Sequence, residues 1–168
     1  MGYKVKSEKE RAEDAFRTFE DLEVYQVSRE FRKAMYRVQR TFPEFEKYEL
    51  GSQMRRAAVS LTNNIAEGHG RFYFADQVKF FLASRGSLQE LIDDLNTCED
   101  ERYLNETEVA ELKAEGWRVL GLLNGYLRYL RDRKLQQQSR VGEVESGGSS
   151  EDVDALRLLE ETLCSPPF

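Results

Sequence analysis

The sequence predicts an all-α protein: an antiparallel, up-and-down four-helix bundle followed by a flexible acidic C-terminal tail. Three observations carry this. Four segments of roughly 18–30 residues repeat apolar side chains at three- and four-residue steps, the period of an amphipathic helix. No stretch alternates with period two over the length of a strand. The second and third helices, and the third and fourth, are joined by only a few residues, which forces antiparallel neighbours.

The first helix runs from about Leu22 to Arg40, with Val24, Phe31, Met35 and Val38 on its apolar face and Asp21 as its expected N-cap. It stops ahead of Pro43, because the residue before a proline is pushed out of the helical region. The longer link from Phe42 to Glu49 has room for a short helical turn. The second helix runs from about Leu50 to Glu67 on Met54, Ala58, Leu61 and Ile65. Gly68-His69-Gly70 should end it, since a glycine just past the last turn takes the left-handed conformation at little cost. The third runs from Phe74 to about Arg102 on Val78, Phe81, Leu88, Ile92 and Leu95. Asn105 and Glu108 form a capping-box pair for the fourth, whose stripe of Val109, Leu112, Leu120, Leu123, Leu127 and Leu130 ends near Lys134.

These limits divide the chain into a charged N-terminal extension (1–18), the bundle (19–135) and the tail (136–168). The tail opens with a polar, glycine- and serine-rich linker and ends in ALRLLEETL, an amphipathic stretch too short to be stable alone. It reads as a disordered tail, or as a peptide that becomes helical on a partner through Leu156, Leu159 and Leu163.

Composition narrows the class. A chain of 168 residues builds one core, and 40% apolar with 33% charged residues suits a soluble, helix-rich protein. No run approaches the ~18 apolar residues of a membrane span. The charged N-terminus lacks a signal sequence, and Lys6 spoils a myristoylation pattern. Cys98 and Cys164 suggest no disulfide framework, so the cytoplasm is the expected compartment. Residues 136–168 hold Arg140 and Arg157 against seven acids, a net of −5; the whole chain is −6, which leaves about −1 for residues 1–135. The acidic total therefore does not exclude nucleic acid as a partner.

No catalytic residue emerges, and no cofactor, metal or small-molecule substrate is expected. His69, the single histidine, stands in a turn with no zinc-ligand spacing around it, and no phosphate-binding glycine loop is present. The second helix holds one unusual pattern: Gln53, Arg56, Ser60, Asn64 and Glu67 share a face. Partly buried amides, hydroxyls and guanidinium groups suit an interhelical hydrogen-bond network that fixes register, or a polar surface for a ligand or RNA. Arg85 interrupts the third helix's stripe, so a pairing with Glu67 or Glu90 is expected, with Gly86 admitting a close backbone. Arg55, Arg56 and Arg71, with Lys79 beyond the turn, would gather positive charge near one end of the bundle, beside Phe72, Tyr73 and Phe74. Cations interleaved with aromatics are the ingredients of single-stranded nucleic-acid binding, and the same aromatics suit oligomer packing. Gly116, Gly121 and Gly125 in the fourth helix point to close backbone packing, and Trp117 to core or interface.

The segments F19-E-D-L-E-V-Y, F42-P-E-F-E-K-Y-E-L, S52-Q-M-R-R-A-A-V-S, N64-I-A-E-G and F81-L-A-S-R-G-S-L-Q-E-L resemble the bacterial four-helix-bundle family named after ribosomal RNA intervening sequences. The resemblance covers about residues 19–133; Tyr25 stands where a tryptophan is more usual, and the acidic tail lies outside the pattern. It implies an antiparallel four-helix protomer in a homopentamer, with no established enzymatic activity and with RNA as the supposed ligand. The fold also resembles the accessory variability determinant of diversity-generating retroelements, a basic pentamer that binds reverse transcriptase. The expectation is a non-catalytic oligomer contacting RNA or an RNA-associated protein, or else a protein scaffold or reverse-transcriptase accessory subunit. A near-neutral bundle argues against strong nonspecific nucleic-acid affinity, which scales with the phosphates neutralised.

Overall fold

A computed structural model describes residues 18–141 and 149–164, so the N-terminal extension before Thr18 lies outside the described residues. The described residues are all helical, with five α-helices and no strand: α1 (Glu23–Arg40), α2 (Leu50–Gly70), α3 (Phe74–Asp100), α4 (Glu106–Val141) and α5 (Ser150–Cys164). Helices α1, α2, α3 and α4 each pack on the next, and α1 also packs on α4. Contacts occur in reversed order along each pair. Arg32 meets Thr62 and Gln39 meets Arg55 between α1 and α2. Gln53 meets Asp94 and Ser60 meets Ser87 between α2 and α3. Between α3 and α4, Glu99 lies by Lys113, and Phe81 stacks on Tyr126 with ring centroids 4.3 Å apart.

The core follows the apolar stripes. Phe31, Met35, Met54, Leu61, Ile65, Phe81, Leu88, Leu95, Leu123 and Leu127 are all buried. In α4, Val119 takes a buried place while Leu112 and Leu120 are half-buried. Asn105 and Glu108 close the expected capping box: the Glu108 amide donates to Asn105 Oδ1 at 3.0 Å, and the Asn105 amide to Glu108 Oε2 at 2.9 Å. At the same end of α3, the 42–49 connection forms turns rather than a helix. It is fastened by the Tyr103 hydroxyl, which donates to Glu46 Oε1 at 3.0 Å.

Several expectations are corrected. Asp21 does not cap α1; it accepts from the Thr18 amide and closes a capping box on the short 3-10 turn Phe19–Asp21. Helix α2 continues through Gly68-His69-Gly70, and neither glycine has positive φ. Gly68 is required for space instead: a Cβ there would stand 2.9 Å from a Phe81 ring carbon and 3.0 Å from Phe80 Cβ. Gly116 does admit close packing, against Ile92 and Phe31, but Gly86, Gly121 and Gly125 face open space. Trp117 is 42% exposed, so it is not a core residue.

The tail differs most. Helix α4 runs seven residues past Lys134, to Val141, because LQQQSR holds no breaker and Gly142 is the first glycine after Gly125. Residues 150–164 form α5, which packs on α3 and α4 with Leu159 fully buried and Ala155 nearly so. Lys134 Nζ donates to Asp152 Oδ2 at 2.5 Å across the junction. A 15-residue helix is marginal in isolation. Tertiary burial of Leu159 supplies what propensity lacks, so the stretch docks on its own bundle. The linker residues 142–148 lie outside the described residues.

Candidate nucleic-acid interface

Helix α1 carries a cationic face that repeats at helical spacing. Arg29, Arg32, Lys33, Arg37 and Arg40 stand against Glu23 and Glu30, a net of +3 within the helix. Because α1 buries Phe31, Ala34, Met35 and Val38 against its neighbours, these cations fall on its outer side. Two contiguous depressions lie along the α1–α2 seam. Arg32, Lys33, Tyr36, Arg37, Arg40 and Val59 line the first. The second continues past Tyr36 and Val59 to Arg55, Arg56, Ser60, Asn63 and Asn64.

The cations differ in freedom. Arg32 is anchored by donating to Thr62 Oγ1 at 2.7 Å, and Lys33 holds Glu30 at 2.6 Å. Arg37 and Arg40 have no hydrogen bond or ion pair among the described residues, and both are exposed. The local field is felt by Glu30, whose carboxyl is held below its ordinary range, first by the Lys33 hydrogen bond and also by the charges of Lys33, Arg29 and Arg37.

The sequence-predicted contact set is only partly assembled. Arg55 is structural: it donates to Gln39 Oε1 at 2.6 Å and to the Lys47 carbonyl at 3.1 Å, tying α1, the 42–49 turns and α2 together. Arg56 is exposed, lines the groove and donates to Ser52 Oγ at 2.8 Å. Arg71 sits fifteen residues further along the helix, about 22 Å away at 1.5 Å per residue. It pairs with Glu67 and lies over the Phe80 ring at 4.7 Å. Lys79 is exposed on α3, beyond that turn. The expected gathering of these four at one end therefore does not occur. Arg71 and Phe72 to Phe74 instead share a cleft with Arg133 and Lys134, and Asp152 of α5 reaches into it.

The polar stripe on α2 reaches α3 through Gln53 and Ser60, while Arg56 and Glu67 bond only to Ser52 and Arg71, four residues away along the chain. Gln53 Nε2 donates to Asp94 Oδ1 at 3.0 Å, Ser60 and Ser87 hydroxyls meet at 2.8 Å, and Asn64 Nδ2 donates to Ser60 Oγ at 3.1 Å. The buried Ser84 hydroxyl donates to the Leu61 carbonyl at 2.7 Å. Arg85 does not pair with Glu67 or Glu90. Ser84 holds the buried stripe position, Glu67 is taken by Arg71, and Glu90 is exposed, while Arg85 Nε is buried without a hydrogen bond. Asp94 was not singled out in the sequence, although an Asp one helical turn before Leu95's stripe partner Cys98 was visible. It is buried; burial first, then the charges of Asp93 and Glu90, pushes its carboxyl up to about 6.

Among the described residues no cluster of His, Cys, Asp or Glu is arranged to hold a metal ion, and no helix is long and apolar enough to cross a membrane. The α1 cations were missed in the sequence, although their signal was present. R29-E-F-R-K-A-M-Y-R-V-Q-R places five cations and one acid on three successive turns.

The model of the 23S rRNA-intervening sequence protein family matches residues 20–125, which spans α1 to α3 and α4 as far as Gly125. The whole cationic groove lies within the matched span, and α5 lies outside it. A search of curated proteins found no match.

Proposed function

This chain belongs to the 23S rRNA-intervening sequence protein family, and from that premise we propose that it is a non-catalytic, cytoplasmic RNA-binding protein whose contact surface is the α1–α2 groove. The protomer in this reading is an up-and-down four-helix bundle carrying an added acidic helix, which the reversed order of contacts between successive helices supports. The carrying observation is the groove itself. Arg32, Arg37, Arg40 and Arg56 surround a half-buried tyrosine, and two of the four have no partner among the described residues.

Four phosphates engaged by these side chains give a salt slope of about −2.8 for a single strand, so raising salt from 50 to 200 mM should weaken binding about 50-fold. The test is fluorescence anisotropy of a labelled RNA across that range. The double variant Arg37→Glu/Arg40→Glu should lose binding and flatten the slope by about 1.4. Arg55 is a poor probe because its removal loosens the fold. Affinity that ignores both salt and the double variant would refute the reading.

Exposed aromatics favour an oligomer. Phe45 is 67% and Tyr48 74% exposed on one connection, and Phe72 is 89% and Tyr73 70% exposed on another, apolar surface of the kind that packs at interfaces. A homopentamer, near five times 19.6 kDa by sedimentation, is the assembly we propose. The same aromatics favour the second reading, a protein scaffold or reverse-transcriptase accessory subunit. That reading gains if binding partners are lost with Phe72 and Tyr73 but kept with Arg37 and Arg40 reversed.

A further inference from the structure

The α1–α2 groove is not uniformly cationic, and its centre carries chemistry that phosphate binding alone does not use. Tyr36 is the one aromatic side chain lining either depression, and it lies where the two join. It is half-buried against the core, and its hydroxyl makes no hydrogen bond among the described residues. Val59 of α2 lines both depressions beside it, so the ring has an apolar neighbour and a solvent-facing side. On one flank stand Arg32, Lys33, Arg37 and Arg40, and on the other Ser60, Asn63 and Asn64. Asn63 is exposed, with its amide unpaired among the described residues, so both a donor and an acceptor are offered to a base edge.

The spacing fits a short stretch of one strand. Arg32 to Arg40 spans about 12 Å of helix, over which one stacked strand presents three to four phosphates at ~3.4 Å each. A duplex keeps its bases inside, out of reach of a half-buried ring. A single strand can splay a base onto it.

We propose that the groove takes single-stranded RNA, with one base stacked on Tyr36, its edge met by Asn63, and the flanking phosphates held by Arg32, Arg37 and Arg40. This rests on the RNA-binding reading above and adds the strand state of the ligand and the residue that reads it. Phosphate contacts set position, and the ring selects for unpaired bases.

The test compares three probes by anisotropy or competition on the full chain: a 12-nucleotide single-stranded RNA, a hairpin duplex of matched charge, and inorganic polyphosphate. Tyr36→Phe keeps the ring and should behave as wild type. Tyr36→Leu keeps apolar bulk against the core but removes the π face. It should weaken the single strand about 5- to 150-fold, the range for one stacked base, and leave polyphosphate unchanged. Thermal melting of both variants checks that the bundle is intact. Wild-type binding of duplex as tight as single strand, unchanged single-strand affinity in Tyr36→Leu, or equal losses for RNA and polyphosphate would each overturn the stacking proposal while leaving the cationic surface standing. Wild type that retains no RNA at low salt would overturn both.

Discussion

Asp94 is buried, only 2% exposed, with Oδ1 accepting from Gln53 and Oδ2 unpaired, so its charge works against folding at neutral pH. In the unfolded chain it titrates near its ordinary 3.8, and in the fold near about 6. Below pH 3.8 both states are protonated and no penalty exists. As pH rises the unfolded chain gives up its proton first, stability falls through the window between the two values, and above about 6 the deficit is complete. A gap of this size corresponds to ~3 kcal/mol. Asp94→Asn removes the charge, keeps an oxygen to accept from Gln53, and leaves an amide N–H where the protonated acid would hold its O–H. The variant should therefore track the wild type near pH 4 and exceed it by up to about 3 kcal/mol at pH 7.5. Urea denaturation at half-unit pH steps measures this, and the difference between the two proteins cancels every other titrating carboxylate. Parallel curves across that range would refute the reasoning.

The glycines give opposing outcomes by differential scanning calorimetry. Gly68→Ala should lose about 1–3 kcal/mol, because Phe80 and Phe81 crowd the new methyl from backbone-anchored positions. Gly116→Ala should lose less, since the nearest atom is the far end of Ile92. Gly121→Ala and Gly125→Ala meet open space and should gain about 0.5–1 kcal/mol each from lower unfolded-chain entropy. Leu159→Ala should release α5, read as faster proteolytic cleavage and amide exchange within 150–164 while α1 to α3 keep their protection.

Most of the bundle was legible because its determinants are local. Apolar period, the Asn105–Glu108 capping box and short connections act within a few residues, and the buried faces matched them nearly side chain for side chain. What failed depends on partners distant in sequence. Gly68 reads as a helix stop until Phe80 and Phe81 are seen against it. Arg85 reads as a core position until Ser84 is seen to hold that place. The C-terminal stretch reads as disordered because its composition is polar and its helix short; only the surface of α3 and α4 makes Leu159 buried. The face shared by Gln53, Ser60 and Asn64 was legible from its spacing, but the partners on α3, Asp94 and Ser87, were not.

Net charge was the least informative quantity, and the fold shows why. Helices α1 and α2 together carry seven cations against three acids. Helix α5 carries five acids against Arg157, and it packs on α3 and α4, not on α1 or α2. Helix axes lie about 8–10 Å apart, and the Debye length at physiological salt is about 8 Å. Charges a helix or more away are thus screened at the groove, and a polyanion there meets the local excess rather than the total of −6. The distant acids still act during approach at low salt, repelling a polyanion from the α3–α5 side and turning it toward α1. A net-acidic total arranged this way gives orientation as well as binding. Its mark would be an association rate that rises in α5-charge-neutralised variants at low salt, with a dissociation rate left unchanged.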